Sequence, residues 1–295
     1  MSNTQVSTFS PSWRDYLELC KPKVVTLMLI TTIVGMHLAT KQAVPLDVLV
    51  MGSFGIALAA GAAAVLNHLA DQKADLIMMR TMKRPIPLKK ISNKQALFFA
   101  GYLTLLSMAT LTLWVNPLTA MLSFVSLIGY AGVYTLVLKR LTPQNIVIGG
   151  LAGATPPLLG WTAVTGSISP YALLLVLIIF TWTPPHFWAL AVHRVKDYAN
   201  AKIPMLPVTH GVEYTKNCIL LYTILLFGVS LLPFAVGMSG YLYLAGALIL
   251  STTFLVYTLK LKFSTKPLQA IKTFHFSNIY LCLLFTVLLF DHYLL

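Results

Sequence analysis

The sequence predicts an all-α, polytopic integral membrane protein of about nine transmembrane helices, and three observations carry that prediction. Of the 295 residues, 57% are hydrophobic and only 10% charged, with a mean hydropathy of +0.79, a composition too apolar for an ordinary soluble domain. Apolar runs of roughly 20 residues, the length a helix needs to cross the hydrocarbon, follow one another through short connections. Twenty of the twenty-one Lys and Arg residues fall on a single side of that arrangement.

Taken in order, the spans run Val24 to Thr40, Asp47 to Ala70, Gln95 to Trp114, Pro117 to Leu138, Asn145 to Val164, Ser169 to Val192, Asn217 to Met238, Gly240 to Leu259 and Ile271 to Phe290. No connection is long enough for a separate soluble domain, so residues 1–295 read as one integral membrane domain with a polar tail at 1–13. The tail has neither a basic segment joined to an apolar one nor an Arg-rich character, which argues against a cleavable signal or a transit peptide. Cys20, Cys218 and Cys282 are far apart and form no CxxC pattern; three free thiols are expected, with no disulfide framework or zinc site.

The basic residues set the orientation. They crowd before the first span, between the second and third, fourth and fifth, and sixth and seventh, and around the loop from eight to nine, leaving only Lys41 opposite. Under the positive-inside rule the crowded side is cytoplasmic, which places the N-terminus inside and the C-terminus outside; a bacterial inner membrane is the expected location. The net charge of +13 is accounted for by topology and by attraction to anionic headgroups, so membrane lipid is an expected partner and nucleic acid is not. The outer connections are nearly chargeless turns, whereas the inner loops are long and polar, so function is expected on the inner face.

Only eight residues are Asp or Glu, which makes their placement selective. Asn67, Asp71 and Asp75 recur at i, i+4 and i+8, one face of a helix at the inner end of the second span. Two carboxylates four apart repel unless a cation lies between them. Mg²⁺ suits the site, because it takes one or two carboxylates and completes its shell with water and phosphate oxygens. Arg80, Lys83 and Arg84 follow within about ten residues, and the planar guanidinium grips phosphate oxygens in pairs. A carboxylate-held metal beside paired arginines reads as a diphosphate site; the plainer alternative is a solvated loop with local ion pairs.

At these residues the sequence resembles a known family. Asn67-His68-Leu69-Ala70-Asp71-Gln72-Lys73-Ala74-Asp75 followed by Arg80-Thr81-Met82-Lys83-Arg84-Pro85 is similar to the NxxxDxxxD and RTxxRP signature of the UbiA-type intramembrane prenyltransferases, in the form of their haem-modifying branch. The likeness continues through Tyr134-Thr135, Lys139-Arg140, Thr142 to Gly150, Pro156-Pro157, Gly160-Trp161, Thr183-Pro184-Pro185-His186-Phe187-Trp188 and Lys196-Asp197-Tyr198. It implies helices around a central cavity open toward the cytoplasm, Mg²⁺ as cofactor, and transfer of a farnesyl group from farnesyl diphosphate to a vinyl group of protohaem IX. A haem A synthase or a terminal oxidase under assembly is the protein partner it suggests. Gln72 stands where an Arg often follows the first Asp, and His193-x-x-x-Asp197 replaces the second DxxxD of the quinone-modifying relatives. The resemblance makes Asp197 a third metal ligand beside Asp71 and Asp75, with Lys196 toward the diphosphate and Tyr198 in the acceptor pocket.

Further polar residues lie at the same depth. His186 stands about one and a half turns, roughly 9 Å, from the inner end of the sixth span. Pro184-Pro185 removes two backbone donors beside it, so a kink and a cavity wall including Trp188 are expected. His186 serves haem positioning or proton handling on this reading, or else simple hydrogen-bonded packing. His68 and Asn145 are candidates for the haem pocket, and Lys21 and Lys23, just before the first span, for the diphosphate. The Ala and Gly run from Ala57 to Ala64 is read as a close helix contact. Two other functions compete: a prenyltransferase for a quinone precursor such as 4-hydroxybenzoate, and a transporter without chemistry. The first lacks its second acidic pair, and the second places its polar groups near the midplane rather than at the inner surface.

Overall fold

A computed structural model describes residues 11–294, and among these it contains only helices and their connections. Helix α1 (Trp13–Leu19) begins where Ser12 and Asp15 cap each other's backbone, a reciprocal arrangement that satisfies two orphan donors. The tail expected through residue 13 lies mostly outside the described residues, and its last residue already opens this helix. Helix α2 (Pro22–Leu38) starts on Pro22, whose fixed φ suits a first turn, and bends 55° from α1. Lys21, between them, adopts the left-handed conformation at φ 52°, unusual for a residue with a side chain.

Helix α3 (Leu46–Asp75) is followed by α4 (Asn93–Trp114), which a second Ser box, Ser92 with Gln95, initiates. Helix α5 (Pro117–Ile128), capped by the Asn116 side chain, runs directly into a π-helical segment (Gly129–Leu138) and then α6 (Lys139–Leu141). Helices α7 (Asn145–Ala154) and α8 (Pro156–Thr165) together make one span. Helix α9 (Pro170–His193) is followed by two short helices, α10 (Val195–Asn200) and α11 (Leu206–Thr209). Three long helices complete the chain: α12 (Val212–Ala235), α13 (Tyr241–Phe263) and α14 (Pro267–Leu294). Among the described residues eight spans are long and apolar enough to cross a bilayer, nine when the bent α1–α2 pair counts as one, so the chain is a multi-pass membrane protein.

The expected spans coincide with these helices, while the inner ends extend further: α3 stays helical through Asp75. Pro184 and Pro185 do not interrupt α9, which is helical through both. Consecutive spans pack on one another around a ring. The ring closes where α14 meets the end of α2. There His37 Nδ1 and Tyr293 Oη share a hydrogen bond of 2.6 Å, and Lys41 Nζ donates to the His292 carbonyl at 3.1 Å. Histidines silent in the sequence thus latch first span to last.

Close packing depends on small residues. Ala59, Ala62 and Ala63 of α3 are buried against Ala96, Ala100 and Leu103 of α4, as the Ala and Gly run suggested. The α2–α8 crossing is tighter still: a Cβ on Gly160 would lie 2.0 Å from the Thr32 carbonyl oxygen, and one on Gly35 2.2 Å from that of Pro157. Only glycine permits such backbone approach. The three cysteines are free.

Candidate active site

The last turns of α3 carry the acidic face that its register dictates: Asn67, Asp71 and Asp75 are all buried. Asn67 Nδ2 donates to Asp71 Oδ2 at 3.1 Å and to Thr135 Oγ1 at 3.2 Å, while its Oδ1 accepts from Lys21 Nζ at 2.5 Å. The amide therefore ties the acidic helix to the α1–α2 elbow on one side and to the π-helical segment on the other.

That segment explains how the fourth span reaches the site. Its i→i+5 ladder widens the helix; the Thr135 hydroxyl donates to the Tyr130 carbonyl at 2.8 Å while accepting from Asn67. One turn on, Lys139 Nζ pairs with Asp71 Oδ2 at 2.5 Å, and Arg140 Nη2 donates to the Ala70 carbonyl, also at 2.5 Å. A π-helical stretch at a functional site is a recurrent observation.

The loop after α3 folds back over the second carboxylate. Thr81 Oγ1 donates to the Asp75 carbonyl at 3.2 Å, and Arg84 Nη1 donates to both Asp75 oxygens, at 2.9 and 2.7 Å. Each buried carboxylate thus has one cation, Lys139 or Arg84, as buried charge requires. Of the cations expected here, Arg84 and Lys21 are at the site, whereas Arg80 and Lys83 are exposed on the loop without an ion pair among the described residues. Lys139 and Thr135 are the residues that the sequence reading left out of the site. The depth of Lys139 at the inner end of the fourth span matches that of Asp71, but every inner-loop lysine shares that depth, so it singles out no partner.

The donor set suits a hard divalent ion. Asp71 Oδ1 takes no hydrogen bond among the described residues, while Oδ2 takes two, so an oxygen lone pair remains beside a second carboxylate one turn away. Asp197, in contrast, pairs with Arg194 of the neighbouring turn at 3.3 Å and is partly exposed, and Lys196 beside it is exposed. No group of three His, Cys, Asp or Glu side chains able to hold one ion occurs among the described residues. The geometry does not gather Asp197 with Asp71 and Asp75.

The remaining expected residues divide between packing and unmet polar demand. His186 is stacked between Trp182 and Phe274, with ring centroids 4.2 and 4.6 Å away, and its Nδ1 lies 2.7 Å from Ser277 Oγ. Because that hydroxyl donates to the Phe274 carbonyl at 2.7 Å, the imidazole must be the donor to Ser277, leaving its Nε2 with the lone pair. Trp188 and Tyr198 are buried together in the apolar cluster that joins α9 to α10. Trp188 Nε1, Asn145 Oδ1 and both ring nitrogens of His68 are buried without a hydrogen-bond partner among the described residues. Native interiors rarely leave such groups unmet.

A recess of about 420 Å³ opens beside the acidic face, lined by Arg14, Glu18, Lys21, Lys23, His68 and Arg84 with Leu17, Pro22 and Val24. Lys23 lies here rather than at the carboxylates. Lys21 and Arg84 form the partition between the two.

Comparison with known proteins fits this architecture. Residues 28–281 match the UbiA prenyltransferase family. A protoheme IX farnesyltransferase of Legionella pneumophila (strain Paris) is 63% identical over 281 residues, covering 95% of this chain and 96% of that one. A protoheme IX farnesyltransferase of Hahella chejuensis is 58% identical over 294 residues, covering 100% and 98%. Among solved structures, one described as digeranylgeranylglyceryl phosphate synthase in membranes superimposes with a TM-score of 0.80 at 19% identity, over 96% of this chain and 99% of that one. A UbiA homologue from Archaeoglobus fulgidus bound to DMAPP and Mg²⁺ gives 0.65 at 18% identity, over 93% and 99%.

Proposed function

The chain belongs to the UbiA prenyltransferase family, and from that premise we propose that it transfers the farnesyl group of farnesyl diphosphate to a vinyl group of protohaem IX. Relatives 58 to 63% identical over nearly the whole chain carry the name protoheme IX farnesyltransferase, which favours a haem acceptor over a quinone precursor and an enzyme over a transporter. The observation that carries the chemistry is the buried Asn67–Asp71–Asp75 face with Arg84, Lys139 and Lys21 closed around it.

Asp71 and Asp75 would hold Mg²⁺, oriented by Asn67. When bound, the ion supplies positive charge to the departing diphosphate. The chain's own cations do the rest. Arg84, Lys139 and Lys21, already converged on the carboxylates, turn their donors to the diphosphate oxygens. Arg80, Lys83 and Lys196, exposed at the rim, attract the substrate. The C–O bond to the farnesyl carbon breaks with its electron pair leaving on diphosphate, and donors fixed in advance stabilise that charge as it develops. The allylic cation is attacked by the terminal vinyl carbon of the haem. Water closes the adjacent cationic carbon as a hydroxyl and releases a proton. Apolar walls delay quenching until then.

Asp197 would serve the diphosphate from the α9–α10 side only through a cation between them, a further metal ion or the Arg194 and Lys196 beside it. His68, Asn145, His186, Trp188 and Tyr198 would bound the acceptor side, with the unmet polar atoms of His68, Asn145 and Trp188 available to the substrate. The basic side faces the cytoplasm, the chain sits in a bacterial inner membrane, and the product passes to a haem A synthase or terminal oxidase. Purified protein given protohaem, farnesyl diphosphate and Mg²⁺ is expected to yield a prenylated, hydroxylated haem identified by mass. Prenylated 4-hydroxybenzoate in its place would overturn the acceptor assignment.

A further inference from the structure

The geometry points to a second anion subsite, separate from the aspartate centre: the recess between the α1–α2 elbow and the inner end of α3, which takes the propionate carboxylates of the haem acceptor. The inference rests on the function proposed above and deepens it. Both substrates of that reaction end in anions, so each needs its own cations. Lys139 lies on the diphosphate side and Lys21 and Arg84 face both compartments, whereas the recess adds Arg14 and Lys23, neither of which forms an ion pair among the described residues.

Several features mark the recess as built. Its four cations, Arg14, Lys21, Lys23 and Arg84, outnumber its one carboxylate, Glu18. His68 lines it with a side chain that is only 2% exposed, and both ring nitrogens lack a partner, a cost of the order of a lost hydrogen bond unless a ligand answers it. The first turn of α2 also opens into it at Pro22 and Lys23, presenting the positive end of a 17-residue helix. The left-handed backbone of Lys21 makes the elbow that points this helix start inward. Leu17, Pro22 and Val24 supply an apolar rim against which a macrocycle edge can lie.

Two carboxylates on one ring edge match Arg14 and Lys23, and His68 donates to one of them from below. Lys21 and Arg84, shared by both compartments, would place the vinyl-bearing edge toward the diphosphate centre.

The test compares the full-length enzyme with an Arg14→Gln, Lys23→Gln double variant, both positions being exposed and free of packing contacts in the core. Protohaem and its dimethyl ester are titrated by absorbance without diphosphate, and turnover is then measured with Mg²⁺ and farnesyl diphosphate. Wild type should bind free protohaem about ten-fold more tightly than the ester, and the double variant should lose that preference. The KM for protohaem should rise about ten-fold while that for farnesyl diphosphate stays unchanged. A rise in the farnesyl diphosphate KM alone, or an acid-over-ester preference kept by the variant, would overturn the subsite. A wild type with the preference but no prenylated haem would support the subsite and overturn the function.

Discussion

Replacing Lys139 by Met removes the cation that pairs with Asp71 among the described residues while keeping most of the side chain's apolar volume. The pair is short, at 2.5 Å, and its partners are 16% and 8% exposed, so solvent screens it little. Loss of one partner of a fully buried pair costs about 3–5 kcal/mol. Here Asn67 still donates to the same carboxylate oxygen at 3.1 Å, which places the cost to the metal-free protein at about 2–3 kcal/mol. On the proposed metal site Mg²⁺ would replace the missing charge, so the apparent Tm in detergent should fall clearly in chelator and much less with Mg²⁺ present. In turnover, a charge-assisted contact to the leaving group is worth about 1.5–3 kcal/mol; kcat/KM for farnesyl diphosphate should drop roughly 10- to 150-fold. Both readouts come from one preparation. A fall of less than about three-fold, or a Tm loss identical with and without Mg²⁺, would refute the reasoning that Lys139 shares the charge of the metal and diphosphate.

Three other substitutions follow from the same geometry. Arg84→Lys keeps the charge but loses the planar fork at Asp75, so the KM for farnesyl diphosphate should rise about ten-fold, read by steady-state kinetics at saturating haem. Gly160→Ala would drive a methyl within 2.0 Å of the Thr32 carbonyl oxygen; α2 and α8 must separate, at a cost of about 1–3 kcal/mol or more, seen as a lower apparent Tm. Gly149→Ala would put its Cβ 2.0 Å from the Tyr134 ring, displacing the π-helical segment that bears Thr135 and Lys139. Its kcat/KM should therefore fall toward that of Lys139→Met, and wild-type kinetics would show that Tyr134 moves without consequence for the site.

Much of this architecture was readable in the residues, because a membrane imposes strong rules. Apolar runs of helix length mark the spans, and the acidic face of α3 follows from a four-residue spacing that burial then preserves. What escaped reading depended on contacts between distant segments. Lys139 stands 68 positions from Asp71, and no local pattern distinguishes it from a topology-setting lysine. The π-helical ladder that aims Thr135 has no composition signal either. Helix α1 escaped because seven residues, three of them charged, are too few to read as a span, although Ser12 and Asp15 spelled its cap. The three-carboxylate metal set, carried from the family resemblance, is not gathered by the geometry, since Asp197 pairs with Arg194 at the α9–α10 junction.

At the centre of the proposed mechanism is a divalent ion held by Asp71 and Asp75 that receives the diphosphate. Binding of Mn²⁺ in place of Mg²⁺, followed by its paramagnetic resonance with and without a non-reactive farnesyl thiodiphosphate, tests this most directly. Wild type should bind the ion more tightly when the analogue is present, and Asp71→Asn should lose that enhancement while remaining folded in detergent. Undiminished, analogue-dependent Mn²⁺ binding in Asp71→Asn would contradict it.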